Sequence, residues 1–179
     1  MTVLTLTECE VCWESSSPEE SLQAGEALGR LLHPGDCVAL SGELGSGKTH
    51  FVRGVAAGLG CDPLEVHSPS FTLVNEYGCG ERETEAGARW WFAHIDLYRI
   101  RSEADLPGIG WDEYVGRRYI VAVEWAERAL GVLPADHLRV RMEMRGADSR
   151  RVCAQAVGSR SVQILRDWIP ALGPGAAPA

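Results

Sequence analysis

One short stretch, residues 42–49, constrains the fold of this chain more than any other part. It is GELGSGKT and satisfies the pattern GxxxxGK(S/T), in which backbone N–H groups of a glycine-rich loop wrap the phosphates of a nucleotide. Residues 37–41 are apolar and predict a buried strand, and residues 51–59 place apolar side chains at helical spacing. The sequence therefore predicts a strand, a phosphate-binding loop and a helix in succession.

Each part of this loop has its own expected role toward a nucleotide. The glycines let the backbone close around phosphate, and the N-terminus of the following helix adds the positive end of its dipole. Lys48 is expected to reach the β- and γ-phosphate oxygens, and the Thr49 hydroxyl to ligate magnesium. Lys48 is the only lysine among 17 lysines and arginines, so the chain keeps a compact ammonium here. The predicted nucleotide contacts are Glu43, Leu44, Gly45, Ser46, Gly47, Lys48, Thr49 and His50.

Length and composition predict an ordinary soluble domain. The chain has 179 residues and 45% apolar content, which suits one domain over residues 1–172 followed by a disordered tail at 173–179. The net charge of -8 and the pI near 5.1 argue against a surface that attracts nucleic acid as a whole. No apolar run has transmembrane length, and the N-terminal residues carry no positive segment, so we expect no membrane association and a cytoplasmic location.

The six cysteines are expected to be reduced, because a cytoplasmic chain of this size needs no disulfides. Cys9 and Cys12 form a CxxC pair in alternating, strand-like sequence. A zinc site would need two more ligands at similar spacing, and a redox motif would need the pair to open a helix. We therefore expect this pair to be incidental.

The remaining elements predict an α/β fold. Ser17 and Pro18 mark a helix start, as N-cap and first helical residue. Alternating strands and helices around the loop predict a central, mainly parallel sheet with antiparallel edge strands and flanking helices. Strands or hairpins are predicted at 2–13, 71–77, 89–95, 119–123, 137–144 and 151–157, an exposed loop at 78–88, a short helix at 112–115 and a terminal helix at 159–172.

Two predicted strands end in an acidic residue, Asp96 and Glu124. A phosphate loop needs a second metal ligand and a group that orients the attacking water, and both usually project from strand ends beside the loop. Each acid taken alone could instead cap a helix or pair with a surface arginine. Together with the loop they are better explained as a metal ligand and a water-positioning group, although the residues do not assign which is which.

Several further motifs, in order, resemble one bacterial family. GELGSGKT, HFVRGVAAGLG, SPSFTLVNEY, HIDLYRI, GWDEYV and AVEWAER occur at the spacings of the TsaE family, also called YjeE, between about residues 17 and 134. The resemblance implies a P-loop NTPase fold and a small ATPase required for threonylcarbamoyladenosine modification of tRNA beside the anticodon.

The same resemblance implies roles for single residues. Thr49 and Glu124 would hold Mg, and Asp96 would act in hydrolysis or in sensing the γ-phosphate, so Lys48, Asp96 and Glu124 are the expected catalytic residues. Residues 68–70 would form a switch-like loop, in which Ser70 stands where relatives usually carry threonine and keeps the hydroxyl. Trp125 would pack beside the site.

Such a protein would not modify tRNA itself. By resemblance it would bind ATP, dock on the TsaD–TsaB pair that transfers the threonylcarbamoyl group, and use hydrolysis to reset that complex. It would meet tRNA only indirectly, through its partners, and the acidic composition agrees with this.

Three other functions are alternatives to the ATPase. A small-molecule P-loop kinase would need an acceptor pocket and an arginine lid, for which 117–118, Arg99 or Arg101 are available. A GTP-driven switch lacks both the NKxD sequence and the glycine of a DxxG motif. Direct RNA binding would need a basic patch, and the candidates are Arg139, Arg141, Arg145, Arg150 and Arg151.

Overall fold

The computed structural model describes residues 1–83, 87, 89–116 and 118–173. Within these ranges no helix combines the length and apolar character needed to cross a membrane. The strands are β1 (Thr2–Leu6), β2 (Glu10–Ser15), β3 (Cys37–Ser41), β4 (Val74–Glu83), β5 (Arg89–Asp96), β6 (Tyr119–Glu124), β7 (His137–Met144) and β8 (Arg150–Val157). The helices are α1 (Pro18–Gly29), α2 (Lys48–Gly58), α3 (Trp111–Tyr114) and α4 (Ser159–Trp168), and shorter 3-10 segments span Glu103–Ile109, Ala126–Arg128 and Ile169–Leu172.

All eight strands form one sheet, in the order β1-β2-β8-β7-β3-β6-β5-β4. The central strands β7, β3, β6 and β5 are parallel to one another. The edges are antiparallel, with β8, β2 and β1 on one side and β4 on the other. The expected α/β architecture with a parallel centre and antiparallel edges is confirmed.

The main core lies between one face of the sheet and helices α1, α2 and α4. Rings of Trp13, Phe51 and Trp168 meet there, with Trp168 5.2 Å from Trp13 and 6.0 Å from Phe51 between centroids. A second, smaller cluster around Trp111 covers β3, β5 and β6 on the opposite face. The parallel centre is therefore covered on both faces, as parallel sheets require.

Helices α1 and α2 approach closely because glycines line their contact. A Cβ placed on Gly25 would lie 2.4 Å from the Phe51 carbonyl oxygen, and one on Gly54 would lie 2.2 Å from that of Leu22. No side chain fits at these distances, so the two backbones touch directly. This contact fixes the position of α2, which begins at the phosphate-loop lysine.

The structure corrects three predicted boundaries. The strand expected at 71–77 begins only at Val74, because Leu73 adopts a left-handed conformation (φ 66) and its N–H bonds the Pro69 carbonyl, 2.6 Å away. The loop expected at 78–88 is wrong in its first part, since β4 continues to Glu83. The terminal helix expected to reach residue 172 ends at Trp168 and continues as a 3-10 turn. Residues 84–86, 88 and the predicted tail at 174–179 lie outside the described residues.

The expectation that every cysteine is reduced is also wrong. Cys12 and Cys153 form a disulfide across 141 residues of sequence. They face each other in the antiparallel pairing of β2 with β8, with Cα atoms 4.1 Å apart. Cys9, the other cysteine of the CxxC spacing, is outside this disulfide and exposed. Only the sheet order reveals the partner of Cys12.

Helix α4 takes its N-terminal cap from a residue far outside the helix. Gly158 occupies the cap position and has no side chain, and the Asp136 carboxylate accepts the N–H groups of Arg160 (2.7 Å) and Ser161 (2.9 Å) instead. Burial alone would raise the pKa of Asp136, but these two backbone N–H bonds, together with the Ser161 hydroxyl and the nearby His137, lower the pKa below its usual value. The carboxylate thus ties α4 to the start of β7.

We predict that Asp136→Ala lowers the free energy of unfolding by about 1 to 2 kcal/mol at neutral pH, the usual cost of losing a helix cap. Because the folded-state pKa is lowered, this contribution is present above the unfolded pKa of about 4 and is lost as pH falls through the folded value. The difference between variant and parent should therefore shrink below about pH 4 in urea titrations. Asp167→Ala, on the exposed side of the same helix, is the control, and an equal loss in both would contradict the cap.

Candidate functional site

The predicted succession of strand, loop and helix is confirmed. Strand β3 ends at Ser41 and the 42–49 motif follows. Its last two residues, Lys48 and Thr49, are the first two residues of α2. Gly42, Gly45 and Gly47 have φ values of 145, 81 and 100, which side-chain-bearing residues rarely adopt. The glycines of the motif are therefore required by the backbone path of the loop itself.

A cleft of about 400 Å³ opens beside this loop and brings the predicted site residues together. Lys48 and Thr49 lie at the start of α2, and Asp96 and Glu124 lie at the ends of neighbouring strands. Of the residues predicted to contact the nucleotide, Leu44, Gly45, Gly47, Lys48, Thr49 and His50 line this cleft, whereas Glu43 and Ser46 do not. The other lining residues are Arg53, Ser68, Ser70, Asp96, Tyr98, Arg99, Glu124 and Trp125.

Glu124 is the centre of a buried polar chain. The Thr49 hydroxyl donates to its Oε1 at 2.8 Å, and His94 Nε2 lies 2.8 Å from the same oxygen. Because an ionised carboxylate only accepts, His94 is the donor and carries its proton on Nε2. His94 is fully buried, and its Nδ1 finds no hydrogen-bond partner among the described residues. The imidazole thus holds the same carboxylate oxygen of Glu124 that accepts the Thr49 hydroxyl.

Sequence reasoning missed His94, although a signal was present. It lies two residues before Asp96 on β5, so the two side chains share a face of the sheet. The pairing of β5 with β6 sets His94 beside Ala122 and Asp96 beside Glu124. A histidine on the same strand face as a predicted site acid was therefore the signal in the sequence that could have identified His94 as a site residue.

Asp96 is bonded to the segment predicted to be switch-like. Its Oδ2 accepts from the hydroxyls of Ser68 (3.0 Å) and Ser70 (2.8 Å), and its Oδ1 accepts from the Tyr98 N–H at 2.8 Å. The two serine hydroxyls also lie 2.6 Å apart. Ser70 therefore makes its contact through the hydroxyl that it shares with threonine, and nothing in this contact needs the missing methyl group.

Lys48 is held by its own loop and by an aromatic ring. Its ammonium donates to the carbonyls of Gly42 (2.7 Å) and Glu43 (3.0 Å) and lies 4.0 Å from the Trp125 ring centroid. Burial lowers the pKa of Lys48, and the neighbouring Glu124 partly offsets that shift. Trp125 adopts a left-handed conformation with φ 58 and packs at 5.1 Å from Tyr98. The predicted packing role of Trp125 thus includes a cation–π contact with the lysine.

Comparison with known proteins identifies the family. The model of the family described as threonylcarbamoyl adenosine biosynthesis protein TsaE matches residues 15–152. The chain belongs to the TsaE family. The match extends beyond residues 17–134, where the motifs alone indicated the resemblance, and includes β7 and the start of β8.

Individual relatives agree with this membership. A Bacillus subtilis protein named tRNA threonylcarbamoyladenosine biosynthesis protein TsaE is 34% identical over 83% of this chain and 87% of its own length. A relative of the same name from Aquifex aeolicus is 41% identical over 63% of this chain and 74% of its own length. A crystal structure of Bacillus subtilis YdiB superimposes with a TM-score of 0.67 at 27% identity, covering 94% of this chain and 96% of the other.

This TsaE-family chain has one further residue against the loop that sequence analysis placed elsewhere. Arg150, considered above as part of a basic patch, donates from Nε to the Ser46 carbonyl at 3.0 Å and from Nη2 to the Gly45 carbonyl at 3.4 Å. Arg150 is the first residue of β8 and is separated from Ser46 by 104 residues in the sequence. Only the sheet order, which places β7 beside β3, brings it there.

We predict that Asp96→Ala loosens the segment at 67–73, because the hydroxyls of Ser68 and Ser70 lose their common acceptor. Loss of hydrogen bonds to a charged group should raise local amide exchange by about tenfold. Hydrogen exchange with peptide-level readout over this segment measures the effect without any ligand. Asp112→Ala, an exposed acid on α3, is the matched control, and unchanged exchange in the Asp96 variant would show that these bonds do not hold the segment.

Proposed function

We propose that this chain is a magnesium-dependent ATPase of threonylcarbamoyladenosine biosynthesis, with a P-loop NTPase fold. The observation that carries the proposal is the 2.8 Å hydrogen bond from the Thr49 hydroxyl to Glu124, made in the same cleft that contains Lys48 and Asp96. The 42–49 loop, the helix N-terminus behind it and two acids at strand ends are the parts that phosphoryl-transfer sites of this kind share. The names of the relatives supply the pathway.

The donor set suits magnesium better than a transition metal. Thr49 and Glu124 offer oxygen atoms only, and Mg²⁺ prefers oxygen ligands and usually takes one or two from the protein, completing its shell with phosphate oxygens and water. No cluster of three or more His, Cys, Asp or Glu side chains that could hold an ion by itself occurs among the described residues. Thr49 and Glu124 would hold the ion, which when bound neutralises charge on the phosphates.

The residues of the chain then have separate tasks. Lys48 would exchange its carbonyl partners on the loop for the β- and γ-phosphate oxygens. Backbone N–H groups from the loop and from the start of α2 would bind the remaining oxygens. Asp96 would either orient the attacking water or sense the γ-phosphate, and its bonds to Ser68 and Ser70 connect that event to the 68–70 segment.

The output of hydrolysis would be a change in partner proteins and not a modified base. We propose that the chain acts in the cytoplasm on the TsaD–TsaB pair and resets it between turnovers, with tRNA contacted only through those partners. The arginines of the open sheet face do not form an uninterrupted basic patch, because Glu10 and Glu143 line the same hollow as Arg139, Arg141 and Arg151. Binding of RNA by this face is correspondingly disfavoured.

A small-molecule kinase is the alternative that needs a separate test. Of the four candidate lid arginines, Arg99 lines the cleft and lies 4.2 Å from the Phe71 ring centroid, Arg101 and Arg118 are exposed, and Arg117 lies outside the described residues. Beyond the metal and phosphate residues the cleft is lined by Arg53, Arg99 and Tyr98 and by Ser68 and Ser70, whose hydroxyls are bonded to Asp96. The ATPase explains the same residues without an acceptor.

We predict that Lys48→Ala lowers ATP affinity by about 100-fold, because loss of a buried partner of a charge pair costs about 3 kcal/mol. Asp96→Ala should leave most binding intact, Glu124→Ala should lose the part of the binding that depends on Mg²⁺, and both should lower phosphate release by about 100-fold or more. Phosphate release is measured for the chain alone and with a TsaD–TsaB pair, with candidate small acceptors absent. Release that the pair stimulates supports the proposal. Tight ATP binding without release in either condition would favour the kinase, and normal hydrolysis by all three variants would refute the assigned site.

We also predict that His94 acts as a positioning residue for Glu124. His94→Leu removes the donor to Oε1, whereas His94→Gln can place an amide N–H near the position of Nε2. Adding Mg²⁺ should raise the affinity of the parent for a non-hydrolysable ATP analogue. This increase should be about tenfold smaller in the leucine variant and largely kept in the glutamine variant. Calorimetry with and without Mg²⁺ measures this gain, and circular dichroism checks the fold. Equal gains in the parent and both variants would rule the role out.

A further inference from the structure

The disulfide between Cys12 and Cys153 has no part in the ATPase site. A chain of 179 residues with an apolar core on both faces of its sheet does not depend on a cross-link for folding. In a protein that acts in the cytoplasm, a disulfide is usually transient and either catalytic or redox-sensing. These two arguments favour a bond that is opened and closed by thiol exchange, which requires access to one of its sulfur atoms.

A hollow of about 400 Å³ over strands β2, β8 and β7 gives access to Cys153. Val152 and Ala154 belong to the core under the helices, so Cys153, which lies between them on β8, points to the opposite face. Cys12 is only 6% exposed, whereas Cys153 is half-buried and lines the hollow. An incoming thiolate therefore reaches the sulfur of Cys153. The other lining residues are Glu10, Ser41, Arg139, Arg141, Glu143, Arg151 and Gln155.

The strand register surrounds Cys153 with arginines. Cys153 pairs with Cys12 on β2 and, on its other side, with Arg141 on β7. Arg139 lies two residues before Arg141, and Arg151 lies two residues before Cys153, so both arginines share this face of the sheet. A thiolate attacks a disulfide along the line of the S–S bond. Continued beyond Cys153 and away from β2, that line passes over β7, so the attacking sulfur arrives among the arginines.

Two of these three arginines are not neutralised by a neighbouring acid. Arg141 forms an ion pair with Glu143 at 2.7 Å. Within the described ranges Arg139 and Arg151 have no carboxylate partner, and Arg151 Nε is buried without a hydrogen-bond partner. A guanidinium binds a carboxylate strongly, often through two parallel hydrogen bonds. The hollow therefore favours an anionic molecule, and its volume lies in the range of small-molecule sites, about 300 to 1,000 Å³.

We propose that Cys153 is a thiol-exchange site for a small thiol that carries a carboxylate. The thiolate of this molecule forms a bond to Cys153 Sγ while the bond to Cys12 breaks. The electron pair of the broken bond goes to Cys12 Sγ, which takes a proton from water. Arg139 and Arg151 hold the carboxylate during the attack. A second molecule of the thiol then releases Cys153 as a free thiol and leaves as its own disulfide, so the small thiol is the reductant.

This proposal rests on the proposed function only for the location of the chain in the cytoplasm. Its test uses no nucleotide and no partner protein. Loss of the thiol-exchange site would leave the ATPase assignment intact, and absence of ATP hydrolysis would leave the exchange measurement intact, so the two failures are distinguishable.

The test compares three thiols that share a two-carbon chain: anionic 3-mercaptopropionate, neutral 2-mercaptoethanol and cationic cysteamine. The initial rate of adduct formation on the full chain is read from intact mass, expressed per thiolate, and divided by the rate of the same thiol with bis(2-hydroxyethyl) disulfide, an uncharged reference. The anionic thiol should exceed the neutral one by about tenfold, and the cationic thiol should be slower than the neutral one. Added salt should reduce these differences. Equal relative rates for the three thiols would overturn the proposal.

Variants of the hollow test which side chains recognise the anion. Arg139→Gln removes a cation at an exposed position, and Arg151→Gln removes the half-buried one, so each should lower the preference for the anionic thiol to about threefold or less. Glu143→Gln removes an acid from the same hollow and should increase the preference. Arg166→Gln, at an exposed position on α4, makes the same change in net charge outside the hollow and is the matched control. An unchanged preference in both arginine variants of the hollow would overturn the site.

Peptide mapping identifies the sulfur that is attacked. The experiment uses Cys9→Ser, so that the exposed free cysteine cannot take over the adduct, and free thiols are blocked with N-ethylmaleimide when the reaction is stopped. The adduct should lie on Cys153, and the blocked thiol on Cys12. An adduct on Cys12 instead would contradict the proposal. So would blocking of both cysteines in the untreated chain purified in air, because no disulfide would then be present to exchange.

Discussion

The parallel pairing of β3 with β6 and of β6 with β5 is the constraint on which the site depends. Its register places Leu40 beside Glu124 and Glu124 beside Asp96, so three strands end at the same edge of the sheet. The chain that leaves β3 becomes the 42–49 loop, and the acids lie directly beside it. A shift of one residue in β5 or β6 would turn its acid to the opposite face.

The helix that follows the loop is held with comparable precision. Glycines on α1 and α2 let the two backbones meet, and the contact leaves no room for a side chain at Gly25 or Gly54. Because α2 begins at Lys48, its placement against α1 sets where Lys48 and Thr49 project. The hydrogen bond between Thr49 and Glu124 then joins this helix to β6, and His94 supports that acid from β5. The site therefore lies where α2, β5 and β6 contact one another.

The antiparallel side of the sheet takes part in the site as well. Strand β8 starts with Arg150, whose guanidinium ties the β7–β8 turn to the carbonyls of the loop. The same strand is bonded covalently to β2 by the disulfide between Cys12 and Cys153. A residue that looks like part of an edge addition in the sequence therefore contacts the phosphate loop directly.

The sequence by itself determined the strand, loop and helix around residues 42–49, the two strands that end in Asp96 and Glu124, and the family to which they point. These are local patterns, set by glycine conformations and by hydrophobic periodicity over a few residues. The tertiary structure alone decided the disulfide partner of Cys12, the cap of α4 by Asp136, and the contacts of His94 and Arg150. Each of these contacts joins residues that are separated in the sequence and that only strand order and register bring together. No local sequence pattern predicts such a contact.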